Sequence, residues 1–136
     1  MSYGVSAALQ KAVYQRLTAD AALAALVGTD IFDAPPSGTV PATYVSLGPE
    51  VARDASDKTG AGALHDFTVT VITDAAGFQL AKDVAAAVGD ALQQPMPALE
   101  RGTLIWLGFR RAKAQREGAE QLRRIDLTFR ARVEDA

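Results

Sequence analysis

Three groups of residues in this chain have types and spacing that could do chemistry. His65 and Asp66 are adjacent, and a carboxylate beside an imidazole can orient a general base. In an extended segment, however, neighbouring side chains point to opposite faces, so a surface or strand-end histidine is the plainer reading. The second group is Asp54, Asp57 and Gly60-Ala61-Gly62. It lacks the alternating acidic pattern of a calcium loop and the lysine and strand-to-helix setting of a phosphate cradle, leaving solvating charges and loop flexibility. The third group is basic: Arg124, Arg130 and Arg132 share one face of the last segment, and Arg110, Arg111, Lys113 and Arg116 lie on the segment before it. Such a row could pair subunits or line a passage that tolerates DNA phosphates. The bland alternative is a solvated sheet face balanced by Asp126, Glu117 and Glu120. Aromatic residues do not interleave with the cations, which argues against base stacking.

Composition narrows the rest. The chain has 136 residues, 49% hydrophobic and 22% charged, which suits one folded domain over residues 1–136 and excludes a disordered or collagen-like chain. Without cysteine there is no disulfide, thiolate nucleophile, cysteine-bound zinc or iron–sulfur cluster. A single histidine leaves no two-histidine metal motif, so neither a catalytic nor a metal site is expected, and no cofactor. Its start lacks the basic and apolar regions of a secretion signal, and its Ala-rich stretches are broken by charges. A cytoplasmic chain that does not enter a membrane is expected. The net charge of −2 hides an asymmetry: residues 1–100 hold 5 Lys and Arg against 11 Asp and Glu, whereas 101–136 hold 9 against 5. Two electrostatic faces follow, useful for head-to-tail contact between copies or for facing an anionic partner.

The elements that position these residues can be read from periodicity. Val5, Leu9, Ala12, Val13 and Leu17 recur at helical spacing. Thr18 and Asp20 interrupt that helix, and a short second one through Leu23, Leu26 and Val27 stops at Gly28. Ile31 and Phe32 form a short extended piece, followed by a turn and a strand over 42–47. Residues 48–63 hold almost no large apolar side chain and three glycines, which predicts a long mobile loop carrying Glu50, Arg53, Asp54, Asp57 and Lys58. A strand resumes at His65, with Phe67, Val69 and Val71 toward the core and Asp66, Thr68 and Thr70 away from it. Asp74 is a candidate cap for a helix whose stripe is Leu80, Val84, Ala87, Val88 and Ala91. Two long strands follow, one from Thr103 and one over 122–133. Trp106 and Phe109 lie within apolar runs and read as core. This order gives an α+β domain: an antiparallel sheet of about four strands, two main helices packed on one face, and a polar, open second face.

This layout resembles the tail-completion, or tail-terminator, proteins of long-tailed phages and phage-like gene transfer agents. The residues that carry it are ALQKAVYQRL at 8–17, DAAL at 20–23, IFDAPP at 31–36, YVSLG at 44–48, HDF at 65–67 and IDLTFRARVE at 125–134. The resemblance implies a structural protein that forms a hexameric ring on the head-proximal end of the tail tube and ends tube polymerisation. The partners it implies are further copies of the chain, the tail tube protein and the head-completion or stopper protein, with DNA passing through the channel. By the same analogy the chain assembles in the cytoplasm and then resides in a virion or virion-like particle. The 48–63 loop would order on docking, and Arg110, Arg111, Arg124, Arg130 and Arg132 would face a neighbouring subunit or the channel. A ferredoxin-like module binding a small ligand would use a similar layout and is the alternative; an enzyme built on His65 or a carboxylate pair ranks behind it.

Overall fold

The computed structural model describes residues 3–34, 37–58, 60–119 and 121–135. Met1 and Ser2, the turn prolines Pro35 and Pro36, Thr59 of the expected loop and Glu120 of the last turn lie outside them. The chain runs α1 (Ser6–Thr18), α2 (Ala21–Val27), β1 (Ile31–Phe32), β2 (Thr43–Asp54), β3 (Gly62–Thr73), α3 (Gln79–Gln93), β4 (Thr103–Glu117) and β5 (Leu122–Glu134). The strands form a single mixed sheet in the order β1-β2-β3-β5-β4. It is α+β as expected, but five-stranded: β1 pairs with β2 in parallel, and the other three pairings are antiparallel.

The expected break between the first two helices is present. Asp20 leaves the helical conformation and accepts a hydrogen bond from the Leu23 amide at 3.0 Å, satisfying one of the orphan donors at a helix start. Gly28 ends α2 at φ +60°. The cap expected from Asp74 is not formed: α3 starts at Gln79, its N-cap position is Phe78, and no side chain caps it. Four residues of turn separate Asp74 from the first helical amide, beyond the reach of its carboxylate.

Apolar stripes from all three helices meet one face of the sheet. Leu9, Val13 and Leu17 of α1, Leu23 of α2 and Val84 and Val88 of α3 close over Val45, Val69, Val71, Leu127 and Phe129, all of them buried. Each such side chain removed from water contributes about 1.5–3 kcal/mol. The ring of Phe129 stacks on Phe67 at 5.7 Å and meets Phe109 edge-on at 5.9 Å, which fixes β5 between its two neighbours.

The largest departure from the sequence reading lies at 48–63. Residues 48–54 are not loop but the second half of β2, paired with β3 as far as Asp54↔Ala63. A register shift between Leu47 and Glu50 places Gly48 and Pro49 in a bulge, where proline's missing amide is tolerated. Only 55–61 connects the strands, and Ala55, Asp57 and Asp135 amides close it by donating to Gly62, Gly60 and Ala61 carbonyls. This connection and the turn at 118–121 lie at opposite ends of the sheet, because Gly62 pairs with Glu134 while Thr73 pairs with Arg123.

Candidate functional site

The arginine row separates into two kinds of residue. On β5 the burial alternates, with Ile125, Leu127, Phe129, Ala131 and Val133 inward, so Arg124, Arg130 and Arg132 share the open face as expected. Each is held by its own chain. Arg130 donates to both oxygens of Asp66, at 2.7 and 3.0 Å. Arg124 is 3.0 Å from Glu117 and 3.1 Å from Asp126. Arg132 donates to the Ala55 carbonyl at 3.1 Å, tying β5 to the β2–β3 connection. The hydrogen bond from Arg130, with further help from Arg53 and Arg110, holds the Asp66 carboxyl below its ordinary range.

The β4 cations behave differently. Register places Arg111 opposite Thr128 and Lys113 opposite Asp126, on the same open face, while Arg116 lies opposite Arg123, on the helix side. Arg110 occupies a bulge between Phe109 and Arg111. All four are exposed, and among the described residues none of them makes a hydrogen bond or ion pair within the chain.

β4 also overturns the core reading of two aromatics. Trp106 is 43% and Phe109 54% exposed, and Ile105, in the bulge between Leu104 and Trp106, is 47% exposed. An apolar run alone does not say which side of an edge strand is covered: Trp106, opposite Arg132, stands on the open face, while Phe109, opposite Phe129, stands on the helix side at the margin of the layer. A groove of about 560 Å³ runs beside Ile105 and Trp106, walled by Met96, Pro97 and Leu99 from the connection that follows α3.

The residues expected on a docking loop are spread over different environments. Arg53 and Asp54 are exposed strand residues, and Asp54 accepts from the Ser56 hydroxyl at 2.6 Å, which holds its carboxyl below the ordinary range. Asp57 accepts from the Gly60 amide at 2.9 Å, and Lys58 is exposed at the tip. Glu50 turns inward, toward the helices, and forms a cluster that the sequence reading missed. Its carboxylate accepts from the Tyr3 hydroxyl, from the Ser6 hydroxyl at 2.8 Å and from His65 Nδ1 at 3.1 Å. Burial is the strongest single influence on Glu50 and opposes its charge, but the hydrogen bonds from Tyr3, Ser6 and His65 together outweigh it and hold the carboxyl below its ordinary value.

His65 is consequently not a surface residue: it is fully buried, stacked against Tyr3 at 6.0 Å, and among the described residues its Nε2 has no hydrogen-bond partner. The available signal was parity, since 65, 67, 69 and 71 all fall on the inward side of β3. Asp66 faces the other way, toward Arg130, so the pair adjacent in sequence is divided by the sheet. The Glu50–His65 pair has catalytic residue types, yet a ring with no exposed surface cannot reach a substrate; the cluster instead pins the start of α1 to the β2 bulge and to β3. Among the described residues, no group of three or more His, Cys, Asp and Glu could hold a metal ion, and no helix is long and apolar enough to cross a membrane.

What the arrangement offers is a surface for contact: unpaired cations and exposed aromatics on an edge strand, beside internally balanced arginines. Comparison with known proteins agrees with a contact role. No curated protein sequence matches the chain. Among solved structures, the chain is similar to one in the "Virion of native gene transfer agent (GTA) particle", with 63% identity, a TM-score of 0.91, and 98% of this chain and 99% of that chain covered. The family model for tail completion protein gp17 matches residues 11–134, nearly the whole length, and the chain belongs to that family.

Proposed function

We propose that this chain is a structural component of a phage-like particle and not an enzyme: a ring of copies, six by the family resemblance, that caps the tail tube at its head-proximal end and joins it to the head-completion or stopper protein, with DNA passing through the ring. The observation that carries this reading is the 63% identity over nearly the full length to a chain of a gene transfer agent virion, within a tail-completion family. The geometry is consistent with it. An edge strand with unpaired cations and exposed aromatics, a sheet face covered by helices on one side only, and a hairpin tip carrying Asp57 and Lys58 are features that serve contacts with neighbours. In this reading Arg110 and Arg111 face an adjacent subunit or the channel, where unpaired cations tolerate passing phosphates, while Arg124, Arg130 and Arg132 shape the face on which they stand. The β2–β3 tip meets a neighbouring ring. Assembly takes place in the producing cell before the protein becomes part of the particle.

The test is to tag the chain in cells that produce tailed particles, purify the particles and locate the tag by gold-labelled electron microscopy. Label at the junction of head and tail is the expected result; particles without label would overturn the assignment. The small-ligand alternative would instead require a rise in melting temperature with a bound metabolite.

A further inference from the structure

Helix α2 has the sequence AALAALV and carries no polar side chain at all. Helices that are apolar all round are normally buried all round, yet only Leu23 and Val27 of α2 are buried; the other five residues are exposed, Leu26 among them at 38%. Beside α2 packs α3, whose exposed side presents Asp83, Ala86 and Asp90. Neither carboxylate has a cation within the described chain; Asp83 accepts only from Gln79. This side of the molecule therefore offers an apolar patch bordered by two carboxylates that have no ion-pair partner among the described residues, with exposed Lys82 beside them.

The sheet edge farthest from α2 offers the converse. α2 packs over β2, and β2 is separated from β4 by β3 and β5, so β4 is the far edge of the sheet. There Trp106, Arg111 and Lys113 share the exposed open face of the edge, with exposed Ile105 and Arg110 in the two bulges beside them. The two surfaces match in kind, apolar centre with charged border, and are opposite in sign. They differ from one another, which is the requirement for a head-to-tail contact that repeats from copy to copy and can close into a ring.

We infer that the β4 edge of one copy seats on the α2–α3 face of the next, with Trp106 against the exposed side of α2, and Arg111 and Lys113 against Asp83 and Asp90. This assigns the two contact surfaces within the ring proposed above and rests on that reading. The occupant is a second copy of this chain because the complementary surface is on the chain itself, and each leaves unsatisfied what the other supplies.

The experiment is charge reversal with cross-complementation, read by sedimentation velocity on the intact chain. One variant carries Arg111→Glu and Lys113→Glu, both exposed on the open face of the edge strand. The other carries Asp83→Lys and Asp90→Lys on the exposed side of α3. Circular dichroism melting confirms that both are folded. Wild type is expected to self-associate, and each variant alone to associate at least about tenfold more weakly. An equimolar mixture should recover, because every contact then pairs opposite charges again, either native or swapped. Should a variant fail to fold, Trp106→Ser and Leu26→Ser replace it, each expected to weaken association in the same way. Undiminished association of the variants, a mixture that does not recover, or a wild-type chain that stays monomeric at all concentrations overturns the inference. None of these touches the tail assignment, which is read from the location of the tag on particles and fails separately.

Discussion

The two strands of the β4–β5 hairpin carry the same residue type and differ in what it does. On β5, Arg124, Arg130 and Arg132 have their donors occupied by Glu117, Asp126, Asp66 and the Ala55 carbonyl. One strand away, Arg110, Arg111, Lys113 and Arg116 have no such partner among the described residues. A count of basic residues treats these as one patch. Hydrogen bonding divides them into cations that hold the sheet together and cations free to act on something else.

Substitutions can break or sharpen that division. The largest effect is expected at Glu50, which accepts from three side chains: Glu50→Ala leaves His65, Tyr3 and Ser6 without their shared acceptor and should cost about 2–3 kcal/mol in urea denaturation. Next is Arg130→Glu, which sets a carboxylate against Asp66 in place of a two-pronged hydrogen bond and should lower the urea midpoint by less than Glu50→Ala does. A smaller effect should appear as pH dependence. The folded-state pKa of Glu50 is depressed, so its contribution is present above its ordinary value of 4.5 and is lost as pH falls through the lower folded value. Denaturation at a series of pH values below 4.5 should show this loss in wild type and a shallower one in Glu50→Gln. Smallest is Arg111→Ala with Lys113→Ala, which should leave stability within about 0.5 kcal/mol of wild type. Equal losses for the β5 and β4 changes in the same denaturation series would erase the distinction between the strands.

The elements most legible in the sequence were those whose burial is strictly periodic. β5 alternates inward and outward along its length and α3 carries one clean apolar stripe, and for both, the side-chain pattern alone determines the element. The second half of β2 was not legible because it buries little: Val51 is 70% exposed, and pairing to β3 sustains this stretch without an apolar face of its own. Gly48 and Pro49 read as loop residues because they form a bulge, which local propensity cannot distinguish from a strand's end. Trp106 and Phe109 failed for the opposite reason: their strand is real, but Trp106 falls on the uncovered face and Phe109 on the margin of the helix layer. Of the candidate surface, the basic residues were visible as a set, whereas their division was not, because the carboxylates that neutralise some of them come from as far away in the chain as Asp66.

The two register shifts in β4, at Leu104/Trp106 and at Phe109/Arg111, also bear on how the free chain behaves at high concentration. An exposed apolar edge strand is ordinarily a template on which further strands stack into fibres. Here the regular ladder between the irregularities is only 106–109, too short a stretch for a straight incoming strand to hold, and the four cations beyond it repel an identical edge. The same strand can therefore leave its aromatics uncovered without seeding fibres, so that side-chain contacts and not strand addition govern what seats on it.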